Sequence, residues 1–380
     1  MKIKLIRCFC GIVAFLSLSA ANADMDYLAT VEGKLTTQCS LEPNSCDAVI
    51  AAFNDAVTQK TGKPFKASVV RLSTSESITR LSSELASSRK AAMRKCKELS
   101  GDAFDNCLEG IYKTKVDVLF GGTDGPYRAA LESNLFAKND YPVSNVYPWA
   151  AQLTRESDNR LGALYMGILG LGYNPELLTK LKIPAPAGWA DLAKPEYKGV
   201  IGVANANTSG TSYKYLSSML TAFGSEEEGW KRIMANHKNI GQYTKSGSAP
   251  CKMVGRGELP VCIGFLAVIA ELSHNGQPIV GVAPQEGTLY EIGPIGIVTG
   301  SKNRSNAEAF AQFLYEPVVQ KVLEANGSRQ FHSNIESAVP VGAPDTVAIK
   351  LLDSEPKFGT KTFKNEVIAR WNDKIFPVKR

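Results

Sequence analysis

A short polar segment, 208–211 (TSGT), lies between a predicted buried strand and a predicted helix. The first backbone N–H groups of a helix have no acceptor within the helix, and the helix dipole favours negative charge at that end. Gly210 lets a ligand approach the backbone closely, while Ser209 and Thr211 add hydroxyl donors. The segment therefore predicts a neutral cradle for a phosphate, phosphonate or carboxylate group. An ordinary capped helix start accounts for the same residues equally well.

A second turn of the same kind, 245–250 (KSGSAP), follows another predicted strand. Its proline suits the first turn of a helix, so small polar residues again precede a helix start. Lys245 could add a positive charge, although a lone lysine before a turn is more commonly solvated. Two such turns in one half of the chain favour an anionic ligand, and they make Ser246 and Ser248 candidates for contacts to it.

Alternating strands and helices place three further polar loops at one edge of the fold. Predicted strands at 27–35, 65–72 and 116–120 alternate with amphipathic helices, which is typical of a parallel sheet covered by helices. Ligands of such sheets lie outside the carboxyl ends of the strands. Each loop alone is explained as a helix N-cap, whereas three together favour a binding site. The loops are Thr36-Thr37, Ser73–Glu76 and Gly121–Asp124.

The second half of the chain repeats the unit of strand, polar turn and helix. A glycine-rich apolar run at 161–173 is typical of a buried strand. Before it, the charged segment 87–115 holds two cysteines and predicts a surface helical hairpin without a ligand role. Further strands are predicted at 199–204, 240–244, 259–265, 279–282 and 290–299.

The N-terminus has the parts of a secretory signal. Basic residues precede the apolar run 11–20, and Ala21-Asn22-Ala23 supplies small residues where a signal peptidase cleaves. The run is shorter than the roughly 20 residues that span a bilayer. Because Cys8 and Cys10 precede this run, lipidation is not expected. We predict that residues 1–23 are a cleaved signal peptide.

Six of the eight cysteines follow this signal, and they fall into three local pairs. An even number in an oxidising compartment implies disulfides, and the spacing favours pairing within each local group. A metal site is the rival interpretation, but no Cys-x-x-Cys motif occurs and the three histidines are scattered. The predicted disulfides are Cys39–Cys46, Cys96–Cys107 and Cys251–Cys262.

Charge and motifs argue against several function classes. The net charge of +6 falls to +3 once the three basic residues of the signal are removed, and no basic run occurs. A nucleic-acid partner is therefore not expected. The chain has no G-x-S-x-G elbow, P-loop or H-E-x-x-H motif, so we predict no enzyme and no cofactor. A secreted hydrolase stays open as a weaker alternative.

Six segments along the chain, in this order, resemble one protein family. They are similar to the type II periplasmic solute-binding proteins of ABC importers, in the branch that groups ferric-ion, 2-aminoethylphosphonate and hexose-phosphate receptors. The resemblance extends over nearly the whole mature chain. The segments are RLSTSES (71–77), VDVLFGGTDGPY (116–127), LGYNPELL (171–178), ANTSGTSY (206–213), YTKSGSAPCKMVGRGE (243–258) and EGTLYEIGPIGIVTGSKN (286–303).

The resemblance implies an α/β fold of two lobes, joined by crossover strands, with the ligand cleft between them. By this analogy residues 24–165 and 298–380 form lobe one and residues 166–297 form lobe two. Ligand binding would close the cleft by a hinge motion, and an ABC permease in the inner membrane would recognise the closed form. We expect a periplasmic monomer that captures a small anionic solute.

Matching positions carry the family's site onto this chain with two departures. Ser75 stands where the family usually has glycine, and Leu266-Ala267 stand where relatives often have a His-Asp pair. The second departure removes a polar contact to a sugar-like ligand. The candidate ligand-binding residues are Thr37, Ser73, Thr74, Ser75, Thr123, Asp124, Ser209, Gly210, Thr211, Ser246, Ser248 and Tyr290.

Ferric iron is the alternative ligand. Iron-binding members of the family use adjacent tyrosines, and the candidates here are Tyr213 and Tyr215. These are two residues apart in a predicted helix and would point to different faces. The sequence therefore favours an organic anion, such as a phosphonate or a phosphorylated sugar, over iron.

Overall fold

The computed structural model describes residues 25–112, 114–339, 349–353 and 356–380. The predicted signal peptide, with Cys8 and Cys10, lies outside the described residues. Within them, no helix combines the length and the apolar character that a membrane span requires.

The described strands are β1 Lys34–Cys39, β2 Lys66–Arg71, β3 Val118–Phe120, β4 Gly162–Tyr173, β5 Ile201–Ala204, β6 Ile240–Thr244, β7 Val261–Phe265, β8 Val280–Val282, β9 Tyr290–Ile297 and β10 Phe331–His332. The described α-helices are α1 Pro43–Thr61, α2 Thr74–Lys95, α3 Gly101–Ile111, α4 Asp124–Leu131, α5 Pro148–Glu156, α6 Pro175–Leu181, α7 Gly210–Ala222, α8 Glu226–His237, α9 Ala249–Gly255, α10 Leu266–His274, α11 Arg304–Phe313, α12 Pro317–Ala325 and α13 Lys361–Arg370. Short 3-10 turns cover Asp26–Thr30, Trp189–Ala193, Pro195–Tyr197 and Pro356–Gly359, and a π-helical turn covers Trp371–Ile375.

These strands form one sheet in the order β2-β1-β3-β9-β4-β7-β5-β6, with β8 and β10 also paired to β4. One half contains the parallel strands β1, β2 and β3, and the other contains the parallel strands β5, β6 and β7. The antiparallel strands β4 and β9 connect the two halves. Every residue of β4 except Tyr173 is buried. The predicted α/β class and the buried strand at this position are confirmed.

Each half of the sheet packs around its own apolar core. The first core includes Phe53, Phe120 and Phe310, whose rings meet edge to face. The second core contains Trp189 and Tyr215, whose ring centroids lie 5.6 Å apart. Burying one such side chain contributes about 1.5–3 kcal/mol. A third cluster of buried apolar residues includes Cys251, Leu266 and Ile269. The first and second cores lie in different halves of the sheet, as expected for the two lobes that the sequence predicts.

The C-terminal segment packs with lobe two, which corrects one of the proposed boundaries. Phe358, Val367, Trp371 and Ile375 all belong to the second core. Their apolar side chains cover that lobe, so the assignment of residues 298–380 as a whole to lobe one is wrong at its C-terminal end. The remaining boundaries stay a prediction.

The first strand lies later in the sequence than expected. Residues Asp26–Thr30 form a 3-10 turn, and Gly33 follows with a φ of 77°. β1 then begins at Lys34 and pairs with both β2 and β3. The expectation of a strand at 27–35 followed by a loop at 36–37 is therefore wrong, because both threonines lie within the strand.

All three predicted disulfides are confirmed. The Cys39–Cys46 bond ties the end of β1 to α1, with a Cα–Cα distance of 5.9 Å. The bond between Cys96 and Cys107 joins α2 to α3 in the predicted helical hairpin. The third bond joins Cys251 in α9 to Cys262 in β7.

Candidate functional site

Three loops of lobe one meet around Gly122, directly after β3. Its φ of 82° belongs to the left-handed region, which glycine adopts without strain. A Cβ added to Gly122 would lie 1.9 Å from Thr74 Oγ1 and 2.9 Å from Ser40 Cβ. The backbone N–H of Ser40 donates to Phe120 O at 3.0 Å. The ends of β1 and β3 and the start of α2 therefore lie together at one edge.

At the end of β1, the residue facing this edge is Ser40 and not Thr37. Thr37 is fully buried within the strand, and its hydroxyl donates to Ser68 O at 3.1 Å. Its assignment to the ligand site is therefore wrong. The Ser40 hydroxyl is buried and has no hydrogen-bond partner among the described residues. The predicted strand ends at residue 35, whereas β1 ends at Cys39, so the sequence pattern does not place Ser40 at the end of a strand.

The predicted residues around the start of α2 have separate environments. Ser73 is the N-cap of α2, and its Oγ accepts a hydrogen bond from Glu76 N at 3.3 Å. Thr74 is buried against Gly122, whereas Ser75 is exposed. The ordinary capping role therefore accounts for Ser73. Of these three residues, Thr74 is the one that lies against Gly122, where the three loops meet.

The start of α4 follows the same turn. Thr123 is the N-cap of α4, and its side chain makes no capping hydrogen bond. Asp124 Oδ2 accepts a hydrogen bond from Arg128 Nε at 2.9 Å, and Arg128 Nη1 also donates to Glu156 Oε2 at 2.8 Å. This helix start carries a carboxylate, so it is less suited to an anionic ligand than an uncharged start.

The two polar turns of lobe two pack against each other through Gly247. A Cβ added there would lie 2.1 Å from Thr211 Oγ1 and 2.9 Å from Ser209 Oγ. The Thr208 hydroxyl donates to Lys245 O at 2.9 Å and holds the turns together. Ser209 is the N-cap of α7 without a side-chain capping bond. The two turns therefore form one surface at the start of α7.

The serines of the second turn interact mainly with each other. Ser246 Oγ and Ser248 Oγ are 3.4 Å apart, and Thr244 Oγ1 donates to Ser246 O at 2.8 Å. Gly210 is exposed at the helix start, where a Cβ would meet no atom within 4 Å. This part of the site is open to solvent and has small side chains.

The crossover strands form the floor between these two surfaces. Tyr165 in β4 links the floor to lobe one, because its Oη accepts from Gly122 N at 2.9 Å and donates to Gly122 O at 3.2 Å. The predicted site residue Tyr290 begins β9 and is half-buried. Burial raises the pKa of its phenol, and the Asp353 and Asp124 carboxylates raise it further. The Tyr290 side chain packs both against the first core and against the cluster that contains Met166 and Ile168.

One residue of the floor, Glu291, is not among the ligand-binding residues predicted from the sequence. Glu291 follows Tyr290 and pairs with Gly167 of β4. Burial raises the pKa of its carboxyl to about 8. No local pattern of residues marks Glu291, because its position follows from the pairing of β4 with β9 over a long separation in the chain.

The two tyrosines named as alternative iron ligands are not brought together. Tyr213 Oη donates to Phe358 O at 2.9 Å, while Tyr215 is buried in the second core and accepts a hydrogen bond from Asn236 Nδ2 at 3.1 Å. Their position two apart on α7 sends the side chains to different faces. Their assignment as a shared metal site is wrong. Among the described residues, no cluster of three His, Cys, Asp or Glu side chains is placed to hold a metal.

Comparisons with known proteins agree with this architecture. The profile of the family "Bacterial extracellular solute-binding protein" matches residues 113–351. The structure of the periplasmic binding protein AfuA from Actinobacillus pleuropneumoniae, with fructose-6-phosphate bound, superposes with a TM-score of 0.72. It is 30% identical in sequence, and the match covers 91% of this chain and 99% of AfuA.

Two sequence relatives extend the comparison. An uncharacterized protein of Haemophilus influenzae is 28% identical over 363 residues, which are 94% of this chain and 95% of that protein. The Fe(3+)-binding periplasmic protein of Serratia marcescens is 28% identical over 192 residues, 48% of this chain and 53% of the relative. The profile match spans more than half of the chain, and the AfuA match spans nearly all of it. The chain therefore belongs to the bacterial extracellular solute-binding proteins, as a two-lobed type II binding protein of the ABC importer family.

Proposed function

We propose that this protein captures a small organic anion, a phosphorylated sugar or a phosphonate, between its lobes and delivers it to an ABC permease. The observation that carries the proposal is the surface at the start of α7. There the Ser209 and Thr211 hydroxyls lie against Gly247 and make no hydrogen bond to another described residue. Hydroxyl groups and helix N–H groups without partners are donors for an anion.

The electrostatics of α7 support an anionic ligand. The helix has 13 residues and no acidic residue in its first turn. Its dipole therefore presents partial positive charge to the site without a competing carboxylate. Lys214, one turn further along, adds a full positive charge on the same helix. These donors suit an anion whose other end is polar but uncharged.

Lobe one supplies groups for the rest of the solute. Ser40 and Thr74 lie beside Gly122, and Thr123 has a hydroxyl that does not cap its helix. Such neutral groups exchange hydrogen bonds with hydroxyl or amino groups. AfuA, which holds fructose-6-phosphate in its structure, supports the same solute class for this chain. On this proposal the protein is a periplasmic monomer without catalytic activity.

Thermal unfolding of the mature chain with a panel of compounds tests the proposal. The panel contains fructose-6-phosphate, 2-aminoethylphosphonate, inorganic phosphate, sulfate and ferric citrate. A ligand that binds only the folded state stabilises it by RT ln(1 + [L]/Kd), about 2.7 kcal/mol at 100 times Kd. We expect a rise in Tm with at least one organic phosphate or phosphonate. The double variant Ser209→Ala, Thr211→Val should lose most of that rise.

The same panel separates the alternatives. Stabilisation by ferric citrate alone, with a visible tyrosinate absorption band, would replace the anion proposal with an iron receptor. Hydrolysis of the organic phosphates would instead indicate an enzyme. Native mass spectrometry of the protein from periplasmic extracts reports both its oligomeric state and the mass of a retained solute.

A further inference from the structure

The Glu291 side chain shares a face of the crossover with Tyr165. In the β4–β9 ladder Gly167 pairs with Glu291 and Tyr165 pairs with Gly293. Directly paired residues of antiparallel strands place their side chains on the same face. A Cβ added to Gly167 would lie 3.2 Å from Glu291 Cγ, so the glycine makes room for the carboxyl. Because the Tyr165 hydroxyl bonds to Gly122, this face is the one that points to the lobe-one loops.

From lobe two, a hydrogen bond connects helix α7 to the segment directly before β9. The backbone N–H of Leu289 donates to Ser218 Oγ at 3.2 Å. Lys214 lies four residues before Ser218 and therefore on the same face of α7, one turn closer to the anion surface. Glu291 lies two residues beyond Leu289 on the floor. The lysine and the carboxyl act on each other electrostatically.

The carboxyl of Glu291 has neither a hydrogen bond nor an ion pair to another described residue. Three titratable groups face it: Lys214 from α7, Asp124 from α4 and Tyr165 from β4. The Phe265 ring borders the same glycine, at 3.5 Å from a Cβ added to Gly167. An unpartnered carboxyl between both lobes, with an apolar ring beside it, is placed to contact a bound solute.

From this geometry we propose that Glu291 is the specificity-determining residue of the cleft floor, where its carboxyl forms a hydrogen bond with a hydroxyl group of the solute's uncharged body. The inference rests on the proposed capture of an organic anion. Along α7, Lys214 lies about 6 Å beyond Gly210, at 1.5 Å per residue. A solute with its anionic group at the start of the helix must therefore extend by several bonds to reach the floor. This selects phosphorylated polyols over free phosphate or sulfate.

Burial raises the pKa of Glu291 to about 8; the Lys214 ammonium opposes this rise and the Asp124 carboxylate adds to it. The acid form is then the main form at neutral pH, and it carries a proton that an ionised glutamate lacks. An ionised carboxylate would repel an anionic solute and could not donate. Solute affinity should therefore be full below this pKa and fall as pH rises through it. For binding to the acid form alone, the loss between pH 7 and pH 9 is about tenfold.

Isothermal titration with fructose-6-phosphate at pH 7 and pH 9 tests the inference. In wild type we expect Kd to be about tenfold higher at pH 9, with nearly one proton taken up per solute bound at that pH. Proton uptake is read from binding enthalpies in buffers of different ionisation enthalpy. Glu291→Gln keeps a donor but cannot titrate, so its Kd should be the same at both pH values and no proton should be taken up.

A matched carboxyl outside the cleft serves as control. Burial also raises the pKa of Glu316, which accepts a hydrogen bond from the Tyr27 phenol on the surface of lobe one. Glu316→Gln should keep the wild-type Kd values and the wild-type pH slope. Removing the carboxyl altogether, in Glu291→Ala, should raise Kd for fructose-6-phosphate more than tenfold, and titration with inorganic phosphate should give the same result as in wild type.

Two results would overturn the inference while leaving the proposed function intact. One is a wild-type Kd for fructose-6-phosphate that does not change between pH 7 and pH 9. The other is a Glu291→Gln variant with the wild-type pH slope and proton uptake. If wild type binds none of the organic phosphates or phosphonates at either pH, the proposed function fails and the inference fails with it.

Discussion

The two walls of the cleft use glycine in the same way and hydroxyl groups in different ways. In lobe two Gly247 brings a neighbouring turn against Ser209 and Thr211, whose hydroxyls stay available. In lobe one Gly122 likewise admits Thr74, but the nearby Ser73 hydroxyl caps its own helix. Close approach of loops is thus common to both walls, while available donors at a helix start are concentrated in lobe two.

The charges at the two helix starts explain this division. α4 begins with Asp124, paired to Arg128, whereas α7 has no acidic residue in its first turn. A carboxylate at a helix start occupies the positive end of the dipole and repels a second anion. The anionic group of the solute is therefore expected against α7, and its uncharged body against lobe one and the floor.

The largest expected effect follows from separating the turns of lobe two. The Cβ of Gly247→Val would come within 2.1 Å of Thr211 Oγ1, so one turn must move away. We expect the Kd for the solute to rise at least about 100-fold, since several donors of one charged group are displaced together. Titration calorimetry measures the change. The control is Gly110→Ala in α3, where an added Cβ meets no atom within 4 Å. An unchanged Kd in Gly247→Val would show that the anionic group of the solute does not bind at the lobe-two turns.

The matching change in lobe one should have a smaller effect on binding. Gly122→Ala places a Cβ 1.9 Å from Thr74 Oγ1 at a φ of 82°, so both contact and backbone strain oppose it. We expect a loss of about 1–3 kcal/mol in the free energy of unfolding and a rise in Kd of about tenfold. Chemical denaturation and calorimetry report the two quantities. If Kd rises more than in Gly247→Val, the walls have the opposite roles.

Local patterns were sufficient to predict the features that lie within one stretch of sequence. Cysteines in close pairs predict the three disulfides, and the residue types of 208–211 and 245–250 identify both polar turns. Their mutual contact could not be predicted, because Thr211 and Gly247 meet only when β5 and β6 pair. The same limit applies to Glu291, whose surroundings depend on the pairing of β4 and β9.

Misplaced elements account for the incorrect assignments. Apolar residues before Gly33 suggested an early strand, although that segment forms a 3-10 turn packed on the first core through Leu28. Because β1 lies later in the sequence than this pattern predicts, Thr37 is in the sheet and not in a loop, and Ser40 is the residue that follows the strand. At the other end, the C-terminal apolar residues could not be assigned to a lobe from periodicity, since either core could receive them.

Comparing single variants of Ser40 and Thr37 tests whether Ser40, and not Thr37, contacts the solute. Ser40→Ala removes a buried hydroxyl that has no hydrogen-bond partner in the described part of the chain, so the stability should hardly change while Kd rises about three- to tenfold. Thr37→Val breaks the bond to Ser68 O and should cost about 1 kcal/mol of unfolding free energy with Kd unchanged. Denaturation and calorimetry on the two variants give four numbers. The reverse pattern would restore Thr37 to the site.

The smallest effect on binding is expected from opening the helical hairpin. The Cys96–Cys107 disulfide lies at the far end of α2 from Thr74, and the 22 residues of that helix span about 33 Å. Replacing both cysteines by serine should lower stability by about 2–4 kcal/mol and leave Kd within about twofold. Cys251 differs, because its Sγ lies 2.7 Å from a Cβ added to Gly264, beside the Gly247 carbonyl. Serines at 251 and 262 should therefore also weaken binding. A rise in Kd well beyond twofold from replacing Cys96 and Cys107 would mean that the hairpin takes part in solute capture.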